Sequence, residues 1–162
     1  MRQFLAYLWF VVVFGTIQVT AQSELCHEEW GYDPYCNFTI ADGQVVFHEE
    51  GFPPEVILTY DGTRVYAGPS QFPSDILFTI FGNKIYRGAS TFASDCVYSI
   101  SGDYVYQGDS FFDGDIIYTI YNNKVYRGSS VSSSDLRYSF YDENGDLTPA
   151  LIVCILSGYD RP

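Results

Sequence analysis

Hydrophobic and polar positions fall into two regimes along the chain. Phe4 to Gly15 is an apolar run almost without break, preceded by Arg2 and followed by polar Thr16, Gln18 and Thr20. From about residue 39 onward, short runs alternate apolar with polar and are bounded by Gly, Asn, Asp or Ser. Alternation of period two puts successive side chains on opposite faces and predicts strands. The alternation is also copied. Asp75, Asp95, Asp115 and Asp135 recur every twenty residues, as do Tyr66, Tyr86, Tyr106 and Tyr126. Gly68, Gly88, Gly108 and Gly128 keep the step, and so do Ser70, Ser90, Ser110 and Ser130. Phe72, Phe92 and Phe112 follow it too, with Ser132 as the exception. A worn copy precedes these, with Thr39, Val45, Phe52 and Glu55 in the slots of Thr59, Val65, Phe72 and Asp75. A truncated copy follows from Leu136 to Asp146.

Each unit reads as a β-hairpin. The turns fall at Asp61-Gly62, Gly82-Asn83, Gly102-Asp103 and Asn122-Asn123, residue types that tolerate the positive φ of tight hairpin turns. Parity across a two-residue loop puts Ile76, Phe78, Ile80 and Ile85 on one face, which is read as core. Leu77, Thr79, Lys84 and Tyr86 then share the other, half-exposed face. The Gly/Ser-rich connection from Gly88 to Asp95 carries Phe92, expected to be buried.

Isolated hairpins of this size are unstable, so the units must pack on one another. The fold class is therefore all-β: tandem hairpin repeats, either an open, solenoid-like stack or a ring closed as a barrel or propeller-like body. An open stack needs end caps, and the chain offers two candidates. One is the Cys-bearing leading segment from residue 24 to 37. The other is a short helix over residues 150–157, with Thr148 as N-cap, Pro149 as first helical residue and Gly158 as stop. That helix is apolar nearly all round and should be buried. The caps favour the open stack.

The first regime is an address. Val19-Thr20-Ala21 places small residues at a cleavage point between Ala21 and Gln22, and the apolar run is shorter than the ~20 residues that span a bilayer. The organisation is thus a signal peptide over 1–21, a Cys-containing segment with a degenerate first repeat over 22–55, four hairpin repeats over 56–135, and a partial repeat with the capping helix over 136–162. The chain is expected to be secreted and extracellular, or periplasmic or exported in a bacterium, with no membrane association after cleavage.

Composition narrows the partners. The 162 residues carry 8 Lys+Arg against 20 Asp+Glu, a formal charge of −12 that argues against nucleic acid. An apolar content of 47% supports one folded domain, and 15 Tyr with 13 Phe make it aromatic-rich. Cys26, Cys36, Cys96 and Cys154 form an even set in an exported chain, which reads as two disulfides. Cys36 and Cys96 occupy the same slot three units apart, about 28 Å in an open stack at ~4.8 Å per strand, so they cannot pair there. Cys26–Cys36 and Cys96–Cys154 are the expected pairs.

The string Tyr126–Asp135, Tyr-Arg-Gly-Ser-Ser-x-x-Ser-Ser-Asp, together with Asp115–Ile120, resembles repeats of short, mainly bacterial proteins. In those a similar twenty-residue unit recurs before an apolar C-terminal segment. The resemblance covers about residues 56–156 and implies an architecture without any activity.

Candidate chemistry is sparse. His27 and His48 are the only histidines and lie outside the good repeats, no catalytic motif is present, and the repeated Ser-Asp pairs lack a base. The protein is expected not to be an enzyme and to need no cofactor. Asp142, Asn144 and Asp146 have the spacing of calcium-loop oxygens, but Leu147 replaces the required Gly, so a tight turn explains them better. Asn37-Phe38-Thr39 is an N-glycosylation acceptor. The tyrosine ladder of Tyr66, Tyr86, Tyr106 and Tyr126, beside Thr59, Thr79, Ser99 and Thr119, could stack on sugar rings, although cross-strand packing alone favours such pairs. Arg87 and Arg127 alternate with Ala67 and Gln107, so no continuous basic stripe is expected. These observations imply a structural or interaction module with an extracellular protein or glycan partner. A carbohydrate-binding protein is the first alternative and an acidic calcium-binding matrix protein the second.

Overall fold

The computed structural model of the chain describes residues 23–27, 35–143, 145 and 147–159. The proposed signal peptide, Asn144 and Asp146 lie outside the described residues. Among these described residues twelve antiparallel strands form one closed barrel. They are β1 (Ser23–His27), β2 (Tyr35–Ala41), β3 (Gln44–Phe47), β4 (Glu55–Tyr60), β5 (Arg64–Ala67) and β6 (Ile76–Phe81). Then come β7 (Lys84–Arg87), β8 (Cys96–Ser101), β9 (Tyr104–Gln107), β10 (Ile116–Tyr121), β11 (Lys124–Arg127) and β12 (Leu136–Tyr141), followed by one helix, α1 (Pro149–Tyr159). The ring, not the open stack that the candidate caps favoured, is the architecture. The repeat explains why: six units curve far enough for the last to meet the first.

Five hairpins are contiguous: β2–β3, β4–β5, β6–β7, β8–β9 and β10–β11. The sixth is assembled from both ends of the chain. Strand β1 pairs with β12 on one side and β2 on the other, so the truncated last repeat takes its second strand from the N-terminal region. Closure removes the two sheet edges that an open stack would expose.

Turn chemistry is as the sequence implies. Asn122 and Asn123 both adopt positive φ, at 50° and 59°, as a type I′ hairpin turn requires. Gly43 is needed for space as well as for its φ of 74°, because a Cβ there would lie 2.5 Å from the Tyr60 carbonyl oxygen. That crowding comes from the Tyr60 N–H, which donates to the Gly43 carbonyl at 2.6 Å and ties one turn to the next unit. The same bond recurs from Ile80 to Thr63, Ile100 to Asn83, Ile120 to Asp103 and Phe140 to Asn123.

A β-bulge in every unit changes the faces that parity assigned. Ile76 pairs with Tyr66 and Phe78 with Val65, leaving Leu77 as the extra residue. The same slip occurs beside Cys96, Ile116, Leu136 and Val56. A bulge puts two residues opposite one, so alternation breaks there. Ile76 and Cys96 therefore lie with the outer tyrosines, whereas Ile57, Leu77, Val97 and Ile117 pack against the core. The expected placement of Ile76 in the core and Leu77 outside is corrected accordingly.

The core fills the barrel. Val45, Val65, Ile85, Val105, Val125 and Leu25, one from each unit, form a fully buried layer. Eight strands enclose a space that side chains alone can fill, and twelve leave a wider lumen. Helix α1, about 10 Å across, occupies that lumen. Residues Leu151 to Leu156 are all buried, and they join the inward layers of the strands in one cluster. Each such Leu, Ile or Val contributes about 1.5–3 kcal/mol by leaving water. The Thr148 hydroxyl accepts the Leu151 N–H at 3.2 Å, the expected N-cap. Gly158 does not stop the helix, which runs on to Tyr159, and the helix is a central plug, not an end cap.

Cys26 and Cys36 form a disulfide between neighbouring strands, as expected. Cys96 and Cys154 are both free. Their pairing fails for a geometric reason: Cys154 lies inside the lumen, while the bulge turns Cys96 to the outside opposite Tyr86. There its thiol donates to the Tyr98 carbonyl at 3.4 Å.

Candidate functional site

Hydroxyl and aromatic groups on the outer wall serve the fold. Thr59, Thr79, Ser99 and Thr119 each donate to the carbonyl of the glycine closing the same hairpin, at 2.7–2.8 Å. Gly88 and its equivalents present that carbonyl because they bend the chain with φ near 65–72°. His48 stands in the first unit's glycine slot, and its Nε2 meets the Thr39 hydroxyl at 2.8 Å. Ser139 in the sixth unit is buried, and its hydroxyl has no partner among the described residues. Tyr66, Tyr86, Tyr106 and Tyr126 are only 5–8% exposed. The Gly/Ser connections fold over them, with Phe111 edge-on to Tyr106 at 5.5 Å between ring centres. The ladder cannot present ring faces to a sugar, so its role as a ligand surface is corrected to packing.

The same connections place other aromatics in water. In three of the four good repeats a serine hydroxyl donates to the aspartate five residues on: Ser70 to Asp75, Ser90 to Asp95 and Ser110 to Asp115. The Ser70 and Ser74 hydroxyls hold the Asp75 carboxyl below its usual pKa. The Asp75 N–H donates to the Phe72 carbonyl at 2.9 Å, with equivalent bonds at Asp95 and Asp115, closing a short 3₁₀ turn. This clasp holds the phenylalanine outward. Phe52, Phe72, Phe92 and Phe112 are 67%, 67%, 76% and 79% exposed, so the expected burial of Phe92 is wrong. Successive units are two strands apart, so these rings stand roughly 10 Å from one another along half the circumference.

The end of the barrel at the C-terminus of α1 is a second candidate. A cavity of about 600 Å³ opens between the wall and the helix, lined by Tyr98, Gln107, Tyr118, Arg127, Arg137 and Tyr138 among others. A second cavity of about 420 Å³ shares Tyr98 and Ser157 with it and reaches Arg87. Arg87, Gln107 and Arg127 lie on the inward face because they pair with Phe78, Tyr98 and Tyr118. Arg137 occupies the bulge slot, where its Nη1 donates to the Leu136 carbonyl at 3.0 Å. The basic stripe judged discontinuous along the sequence is thus an arc around one mouth. Sequence reasoning missed it because Arg137 reaches the mouth only through the bulge.

Of the calcium-loop candidates, Asn144 and Asp146 lie outside the described residues, and Asp142 is placed. Asp142 accepts a hydrogen bond from the Ser23 hydroxyl at 2.7 Å, which fastens β1 to the end of β12. Among the described residues one group brings potential metal ligands together, Glu24 with Cys26 and Cys36, and the disulfide consumes both thiols. Asn37 lies in β2 at the bulge slot and is half-buried. No helix among the described residues is long and apolar enough to cross a membrane.

Comparison with known proteins agrees with this geometry. Neither the curated proteins nor the solved structures contain a match to the chain. A family model described as "6-fold beta flower protein" matches residues 33–155, three quarters of the sequence. That span takes in eleven of the twelve strands and most of α1, with β1 just before it. The six-unit ring and the family match together place this chain in the 6-fold beta flower family.

Proposed function

We propose that the protein is an exported, non-enzymatic interaction module whose working surface is the crown formed by Phe52, Phe72, Phe92 and Phe112. The observation that carries this reading is the exposure of four phenylalanines in one slot of four successive units. Large apolar rings in water favour association, and loop backbone held by a hydrogen-bonded clasp loses little freedom on binding. Charge selects the partner. The crown's loops carry Asp75, Asp95, Asp109, Asp113, Asp115 and Asp135, and the whole chain is strongly acidic. A protein surface or peptide combining cationic and apolar groups fits such a crown, whereas an anionic bilayer would be repelled.

Ser132 supplies a built-in control, because the fifth unit folds with Ser in the phenylalanine slot. The triple variant F72S/F92S/F112S should therefore keep its melting temperature. Surface plasmon resonance against immobilised alternating Lys-Leu and Glu-Leu peptides tests the reading. Salt-sensitive binding of the Lys-Leu peptide, weakened at least tenfold in the triple variant, supports it. Equal binding by both proteins, no binding, or a preference for the Glu-Leu peptide contradicts it. Self-association that depends on the three phenylalanines would also contradict it, by assigning the crown to a second copy.

A further inference from the structure

We infer that the mouth at the C-terminal end of α1 binds a carboxylated sugar: Arg127 and Arg137 take the carboxylate, Tyr98 and Tyr118 cover the ring, and Gln107 reads its hydroxyls. The site is separate from the phenylalanine crown and stands or falls independently of it.

The argument begins with a departure from the repeat. The slots that hold Arg87, Gln107 and Arg127 hold Phe47 and Ala67 in the earlier units. The slots of Tyr98, Tyr118 and Tyr138 hold Phe38 and Leu58 there. Phe38, Phe47 and Leu58 lie in or against the core, so the scaffold itself does not need the polar half of these slots. The polar half is also where the larger cavity opens.

Charge is the second argument. The chain has 8 Lys+Arg against 20 Asp+Glu, yet three of its arginines line this one mouth. The ion pair found among the described residues is Lys84–Asp109, so no described carboxylate is paired with Arg87 or Arg127. The C-terminus of α1 presents roughly half a negative charge. Three guanidinium groups exceed that several-fold, so the described lining of the mouth is net cationic on an acidic protein. Anions are drawn to such a spot and held there by the fork geometry of arginine.

The lining selects among anions. Phenol rings cover the C–H face of a pyranose, and the Gln107 amide matches ring hydroxyls. Bare phosphate would use the arginines and leave the rings idle. An apolar carboxylate would find its hydrophobic partners on the opposite half of the wall. Arg137 is already oriented by its bond to the Leu136 carbonyl, which lowers the cost of binding.

Isothermal titration of the exported chain with glucuronate, glucose and inorganic phosphate tests the site. Expected are binding of glucuronate, at least tenfold weaker binding of glucose and phosphate, and at least a tenfold loss for glucuronate in R127Q and in R137Q. K124Q, which removes one positive charge elsewhere, should bind like the wild type. Absence of glucuronate binding, equal affinity for phosphate and glucuronate, or unchanged affinity in R127Q overturns the inference. If R127Q melts early, R127K decides, because it keeps the charge and loses the fork. A tenfold loss in R127K supports the site, and wild-type affinity overturns it.

Discussion

Leu25 lies directly opposite Phe140, in the register that Ile85 holds opposite Ile80. The two residues are 115 positions apart, whereas the other pair is joined by a two-residue turn. Through this pairing a strand from the beginning of the chain becomes the missing half of the last repeat. The sixth hairpin is therefore a non-local contact, and the ring depends on it.

Leu25 is fully buried among the six residues of the central layer. Replacing it with Ala should cost about 2–5 kcal/mol, the usual range for a buried leucine, read by urea unfolding. Deleting residues 22–27 should do more, exposing β12 and β2 as unpaired edges. Size-exclusion chromatography should then show higher oligomers.

The Cys26–Cys36 bond fastens the same closing strand to the first unit. The double variant C26S/C36S should lose about 2–3 kcal/mol, the chain-entropy value for so short a loop. Thiol labelling of the native protein followed by peptide mapping should find Cys96 modified first. Cys154 should react only on unfolding, since it is buried in the lumen and burial pushes its thiol pKa up.

Thr79 and Tyr86 face each other across β6 and β7. T79V removes the hydroxyl that satisfies the Gly88 carbonyl and should cost about 1 kcal/mol. Y86A removes a ring that is almost wholly covered and should cost about 3–5 kcal/mol. Thermal melts would check both. Wild-type stability in Y86A would show the ladder to be free of packing.

Asp61 gives the stability a dependence on acid. Burial alone would raise its pKa, but the N–H groups of Thr63 and Arg64 and the hydroxyl of Tyr66 hold it down to about 2. An unfolded aspartate titrates near 4, so the folded state favours the charged form. Its contribution is complete above pH ~4 and is lost as the pH falls towards 2. At this exposed turn, solvent screening leaves about 1 kcal/mol. D61N should be destabilised by that amount at pH 7 and lose the corresponding fall between pH 4 and 2. Unfolding curves at several pH values would show it.

Much of the fold was legible in the sequence. The period of twenty, the hairpin turns, the N-cap at Thr148 and the Cys26–Cys36 pair all follow from local chemistry acting over a few residues. Closure was not legible as the choice between two forms. Of the repeat's slots, β1 keeps an apolar residue at Leu25 but puts Cys26 where Tyr86 stands, so it does not read as half a repeat. The bulge was hidden for a different reason. One extra residue in every unit leaves the period intact, and simple parity then misplaces Ile76, Leu77 and Cys96. The mouth depends on both features, since Arg137 turns inward at the bulge and the arc from Arg87 to Tyr138 surrounds a helix only once the ring is closed.

Backbone nuclear Overhauser contacts between β1 and β12 test the ring most directly. The account predicts cross-strand contacts linking Leu25 with Phe140 and Cys26 with Ser139, with slow exchange of the β12 amides. Absence of those contacts, with β12 amides on its β1 side exchanging as fast as an open sheet edge, would contradict closure.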